Sequence, residues 1–187
     1  MLAHCSSGCY GVKVLHPAPL IYQLNDEERQ LALLEAKRRQ SVNEKNKTSG
    51  RNGGIESGQK ALALHQIGAL GEMAVASYLG LKDFLYSDKI PRKDSCDLPF
   101  GIDVKIRAKH YYDLIVQLDE KQNKNFWLCT IDLDQIQIKG WIQGQYCFKP
   151  EYIKDPAGGR KAYFVPQINL WPPETFCFFF NCNNLKP

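Results

Sequence analysis

The periodicity of this chain changes once, at Gly80, and that change limits the folds open to it. Before Gly80 the patterned segments have helical spacing; beyond it the apolar residues fall in short runs, several alternating with polar residues. Helices first and then mostly strands imply one mixed domain, α/β or α+β. The 187 residues are enough for a full core with appendages.

Asn25 is placed to cap a first helix, with Asp26, Glu27 and Glu28 in its opening turn and Lys37, Arg38 and Arg39 nearer its end. Leu31, Leu34 and Leu24 supply an apolar stripe, and the basic end reads as a solvated face. Residues 41–59 are polar and Gly-rich, a linker or mobile loop. A second helix is expected from about Lys60 to Leu79, stopped by Gly80, with Ile67, Leu70, Ala74 and Tyr78 toward the core. Strands are expected at 82–87, 95–98, 102–108, 113–118, 126–133 and 136–147. Trp141 reads as core, and Lys121, Lys124 and Asn125 as a solvated hairpin loop. Phe176–Phe180 is a strand or a docked segment, since five such residues would not stay in water.

Residues 1–22 lack a period, and His4, Cys5, Cys9 and His16 fit no zinc spacing. Seven scattered cysteines make no disulfide framework and suit buried thiols in a reducing, cytoplasmic setting. No run is apolar enough to span a bilayer and no secretory signal is read, so no membrane role is expected. The net charge of +4 permits a polyanionic partner without requiring one.

The chemistry concentrates between positions 72 and 105. On its helix Glu72 has Gly68, Ala69, Val75 and Ala76 as neighbours, none able to pair with a carboxylate. Desolvating it calls for a metal or a bound cation. In IDVKIRAK, residues Ile102, Val104, Ile106 and Ala108 point one way and Asp103, Lys105 and Arg107 the other. Asp103 and Lys105 are thus about 7 Å apart on one face. Upstream, Leu98-Pro99-Phe100-Gly101 is suited to a tight turn that would lay Asp97 beside Asp103. Two neighbouring carboxylates repel unless a cation lies between them, and Mg²⁺ accepts such oxygens.

The pattern Glu72…Asp97-x5-Asp103-x-Lys105, on helix, strand and strand, resembles the PD-(D/E)xK nuclease superfamily over roughly residues 65–147. The family's proline is replaced by Cys96, and no second core helix is found between the later strands. The resemblance implies a restriction-endonuclease-like core, a mixed central sheet flanked by helices. It implies a metal-dependent DNA nuclease of the small phage or prokaryotic kind. Asp97 and Asp103 would bind Mg²⁺ or Mn²⁺ with the Val104 carbonyl, Glu72 would complete the site, and Lys105 would serve the attacking water. Arg92, Lys93, Arg107 and Lys109 are candidate DNA contacts, whereas Tyr111 and Tyr112 read as strand packing. Residues 1–59 are then an arm, helix and linker, 60–150 the nuclease core, and 151–187 an extension packed on it. A homodimer through the first helix is one possible arrangement. The rival readings are a catalytically silent nucleic-acid- or protein-binding module, and a structural module in which Asp103–Lys105 is a surface ion pair.

Overall fold

Helix α1, Asp26–Asn46, begins at a reciprocal cap: the Glu28 N–H donates to Asn25 Oδ1 at 2.9 Å, and the Asn25 N–H to Glu28 Oε2 at 3.0 Å. Helix α2, Gln59–Leu79, ends where Gly80 turns left-handed at φ 72° and the Leu81 N–H reaches back to the Ala76 carbonyl at 2.7 Å. The computed structural model describes residues 20–46, 58–85, 96–132, 135–156 and 158–180. The two helices run antiparallel, tied by Ser77 to Glu28, Arg39 to Glu72 and Asn43 to His65.

The face that α1 buries is not the expected one. Leu31 and Leu34 are 44% and 66% exposed, and of the three leucines only Leu24 is buried. Ala32 and Ala36 form the seam instead, flanked by Glu28 and Glu35. Small residues let α2 come close, and each buried carboxylate finds a partner there or along its own helix, so its burial is compensated. On α2, Ala74 is fully buried as expected, with Ala69, Met73 and Ala76 beside it.

Beyond Gly80, residues 82–84 form a 3-10 turn rather than a strand, and the 95–98 strand reduces to one bridge between Leu98 and Ile102. A four-stranded sheet has the order β1 (Leu20–Tyr22), β5 (Gln135–Gln143), β4 (Asn125–Asp132), β2 (Ile102–Arg107). Only β2 and β4 are parallel in it. A second, antiparallel sheet orders β3 (Leu114–Gln117), β7 (Ala162–Val165) and β6 (Ile153–Lys154). Two short helices follow β5 and close the described chain, α3 (Gly144–Cys147) and α4 (Phe176–Phe180). The described residues are therefore mixed α/β, with four helices and two sheets. No helix among them is long and apolar enough to cross a membrane.

Helix α2 lies between α1 and the larger sheet. Gly71 makes this possible, since a Cβ there would come within 3.0 Å of Ile106. One core fills the space under α2 with Trp127, Cys129, Ile138 and Trp141. The other lies toward the smaller sheet, with Leu114, Val116, Phe126, Leu128 and Val165. The Phe176–Phe180 run is a helix, not a strand. Its Phe176 ring packs 5.1 Å from Trp127 and 4.7 Å from Trp141, while Phe178 and Phe179 face outward, contrary to expectation. A helix turns only part of its surface inward, so one docked face cannot cover all five residues.

Candidate functional site

Strand β2 divides its side chains as alternation requires. Ile102, Val104 and Ile106 join the core under α2, leaving Asp103, Lys105 and Arg107 on the opposite face. Ala108, expected inward, lies past the strand end and is exposed. β2 is also an edge strand. The turn before it has positive φ at both Phe100 (61°) and Gly101 (69°), an uncommon state for phenylalanine. Clamping hydrogen bonds hold it: Asn125 Nδ2 donates to the Phe100 carbonyl at 2.7 Å, and the Asn125 N–H to that of Gly101 at 2.8 Å.

This turn folds Asp97 back along the open edge of β2. The Asp97 N–H donates to the Ile102 carbonyl at 2.9 Å, and the Asp97 carboxylate accepts the Val104 N–H at 2.7 Å. Asp97 thus takes up a backbone donor between Asp103 and Lys105. Burial, and then the negative charges of Glu72 and Asp103, push its pKa up from 3.8 to about 8, against the opposing pull of the Val104 N–H and Lys105. Burial likewise raises the neighbouring Cys96 thiol, which favours the neutral thiol over a thiolate ligand.

Asp103, 6% exposed, sits in a ring of alternating charge. Lys105 Nζ contacts its Oδ1, and Lys124 Nζ donates to its Oδ2 at 2.7 Å. Both lysines also reach Glu120, at 3.3 Å from Lys105 and 2.7 Å from Lys124. Lys124 is therefore not the solvated loop residue expected, nor does it lie in a hairpin. It is 5% exposed, because β4 starts beside the start of β2 and brings the preceding residue against Asp103. Burial alone would pull its ammonium pKa down, but the bonds to Asp103 and Glu120 outweigh this and raise it. Asn125, assigned to the same loop, is likewise buried.

Glu72 enters from the helix side. It is 6% exposed, as its small neighbours suggested, but its cation comes from the protein. Arg39 donates from Nη1 to Oε1 at 2.8 Å and from Nη2 to Oε2 at 2.6 Å. Its Nε donates to Glu35 Oε1 at 2.8 Å. The expectation that this basic end of α1 is merely solvated fails at Arg39, which bridges two buried carboxylates. Those carboxylates hold its pKa above its usual value despite the opposing effect of burial.

The structure thus brings Asp103 and Lys105 into contact, sets Asp97 on the Val104 N–H, and leaves Glu72 on α2, bonded to Arg39. No three metal-binding side chains converge as a cage among the described residues. Arg107 places its guanidinium 5.0 Å from the centre of the Tyr112 ring, and Lys109 is exposed in the following turn. Arg92 and Lys93 lie outside the described residues. Tyr111 and Tyr112, expected to pack in a strand, are exposed in that turn instead, because β2 ends at Arg107. Sequence reasoning missed Arg39, Glu120 and Lys124. The spacing of Glu120 and Lys124, four apart, was a local signal for their pairing, whereas nothing local joins Arg39 to a residue 33 positions away.

Comparison of the chain with family models, with curated proteins and with solved structures gives no match.

Proposed function

We propose that this chain is a metal-dependent DNA nuclease on a restriction-endonuclease-like core, hydrolysing phosphodiester bonds at the edge of β2. The observation that carries this reading is the placement of Asp97: its carboxylate lies on the open edge of β2, on the Val104 N–H between Asp103 and Lys105. A divalent ion with hard-oxygen preference would suit such neighbouring carboxylates, and Mg²⁺ needs only one or two of them because it keeps several waters. Carboxylate and carbonyl oxygens are the donor type such an ion takes. Asp97 and Asp103 would hold Mg²⁺ or Mn²⁺ with the Val104 carbonyl, and Glu72 would act directly or through water. When bound, such an ion lowers the pKa of water and polarises the phosphate.

The remaining work falls to the chain's own side chains. Lys105, held between Asp103 and Glu120, would orient a water and offset charge on the phosphate. Lys124 keeps the rest of Asp103 and Glu120 in place. Arg107 and Lys109, farther along the same strand and turn, offer positive charge to the DNA backbone. One departure from the resemblance stands: residues 108–124 join the parallel strands β2 and β4 by way of β3 rather than through a helix.

A second reading has its own support. Both oxygens of Asp103 and both of Glu72 are engaged by lysine or arginine, the arrangement expected of a silent binding module. The deciding experiment offers linear, circular, single-stranded and branched DNA with Mg²⁺, Mn²⁺ or EDTA to wild type, Asp103→Ala and Lys105→Ala. Metal-dependent cutting that both substitutions abolish supports the nuclease. No cutting on any substrate, together with DNA binding that both substitutions leave unchanged, moves the chain to the second reading.

A further inference from the structure

We infer that the turn after β2, carrying His110, Tyr111 and Tyr112, is a stacking platform for the unpaired bases of a DNA strand; this rests on the nuclease reading and narrows its substrate. The rings lie in the open. Tyr111 is 62% exposed and Tyr112 37%. They form an edge-to-face series, with centroids 5.2 Å apart from His110 to Tyr111 and 5.0 Å from Tyr111 to Tyr112. Leaving such rings in water forgoes the burial that ordinarily accounts for aromatic residues.

The turn is also held in shape. The Tyr112 N–H donates to the Lys109 carbonyl at 3.1 Å. From the segment after β7, Gln167 Nε2 donates to the carbonyls of both His110 and Tyr112 at 2.8 Å. One side-chain amide therefore pins both ends of the aromatic triplet to the segment that follows β7. A preorganised platform loses little conformational freedom when a ligand arrives.

Cations stand beside the rings. The Arg107 guanidinium lies over Tyr112, and its Nε is buried without a hydrogen-bond partner. Arg107 follows Lys105 by two residues on the same face, about 7 Å along the strand. A strand whose phosphate reached Lys105 would therefore run past Arg107 and Lys109 to the tyrosines.

The geometry of nucleic acid selects the substrate. Duplex DNA shows its base edges in the grooves and keeps the base faces stacked inside, so exposed rings find no partner there. Unpaired bases present their faces and stack on aromatic side chains with little regard to sequence. The platform accordingly favours a single strand, a frayed end or the splayed arm of a branch over intact duplex.

The test measures binding, not cutting. In EDTA, the full chain is titrated by fluorescence anisotropy with a labelled thymidine homopolymer, with that strand annealed into blunt duplex, and with the matching RNA homopolymer. The proposal expects the single DNA strand to bind at least about tenfold more tightly than the duplex at matched salt. Tyr111→Ala and Tyr112→Ala should each weaken single-strand binding by about tenfold, while Tyr111→Phe and Tyr112→Phe retain it. Circular dichroism melts of all four variants confirm that the fold is intact. Equal or tighter binding of duplex, stronger binding of RNA, or alanine variants that bind like wild type would overturn the platform. Binding is read in EDTA, where a metal-dependent nuclease does not cut. The absence of cleavage would therefore count against the nuclease alone, and the absence of strand preference against the platform alone.

Discussion

Glu72 and Asp103 are equally buried and each has both oxygens bonded to cations, yet they are held by different means. On the helix side one guanidinium from α1 grips Glu72 with two parallel bonds and spends its remaining Nε on Glu35. At the strand edge two separate ammonium groups share Asp103 with Glu120. A planar fork has one good pose, whereas an ammonium is a compact charge on a flexible stem that can be exchanged for another cation. The helix side is built to stay fixed, and the strand edge to trade partners. The comparison also separates the candidate ligands: Asp103 and Asp97 are better suited to receive an ion than Glu72.

The largest break should come from Lys124→Met. It leaves the buried Asp103 and Glu120 with Lys105 as the lysine they share, and should cost about 3 kcal/mol in urea unfolding at neutral pH. If the strand edge exchanges cations, millimolar Mg²⁺ should restore part of that loss. A loss below about 1 kcal/mol would mean that the ring contributes no more than surface pairing does.

Arg39→Leu should cost less, about 2 kcal/mol, because the Arg39 side chain is 22% exposed and water can reach what it leaves behind. Here Mg²⁺ should restore nothing. Combining it with Glu72→Leu should recover most of the loss, since the penalty comes from an unpaired buried charge. Additive losses in that double-mutant cycle would contradict the clamp.

The smallest effect is also the one with a pH signature. Asp97 has its folded pKa raised from 3.8 to about 8, so the stability of its neutral form is fully present below pH 3.8 and lost as pH rises through about 8. Asp97→Asn mimics the neutral form at every pH. In EDTA it should match wild type near pH 3.8 and become more stable, by about 1–2 kcal/mol, at pH 8 and above. A destabilised variant at pH 8 would show that the carboxylate is satisfied as it stands. In the cleavage assay the same substitution should abolish activity, so stability and function would move in opposite directions.

Much of this was legible in local sequence. Asn25 and Gly80 announced the ends of the helices because caps act through neighbouring residues. The alternation of Ile102 to Arg107 announced which side chains share a face, and Pro99 to Gly101 the turn that returns Asp97. What was not legible depends on pairing between distant segments. Leu31 and Leu34 look like a core stripe until α2 offers partners to Glu28 instead. Lys124 looks like a loop residue until the parallel pairing of β4 with β2 carries it to Asp103. The strand placement of Tyr111 and Tyr112 failed because β2 ends before them. The clamp on their turn comes from Gln167, 55 residues beyond Tyr112.

The route from β2 through β3 to β4 also bears on the order in which the molecule assembles. A parallel pair cannot close through a tight turn, so β2 and β4 pair across a long intervening segment, and such non-local pairings form slowly. Lys124 meets Asp103 across 21 residues, and Arg39 meets Glu72 across 33. The distant partners of Asp103 and Glu72 therefore wait on the fold, while Lys105 lies beside Asp103 along the chain. A partly folded chain lacks those distant partners, and its carboxylates repel one another more strongly. Completion of the fold is then what brings the acidic edge its distant cations.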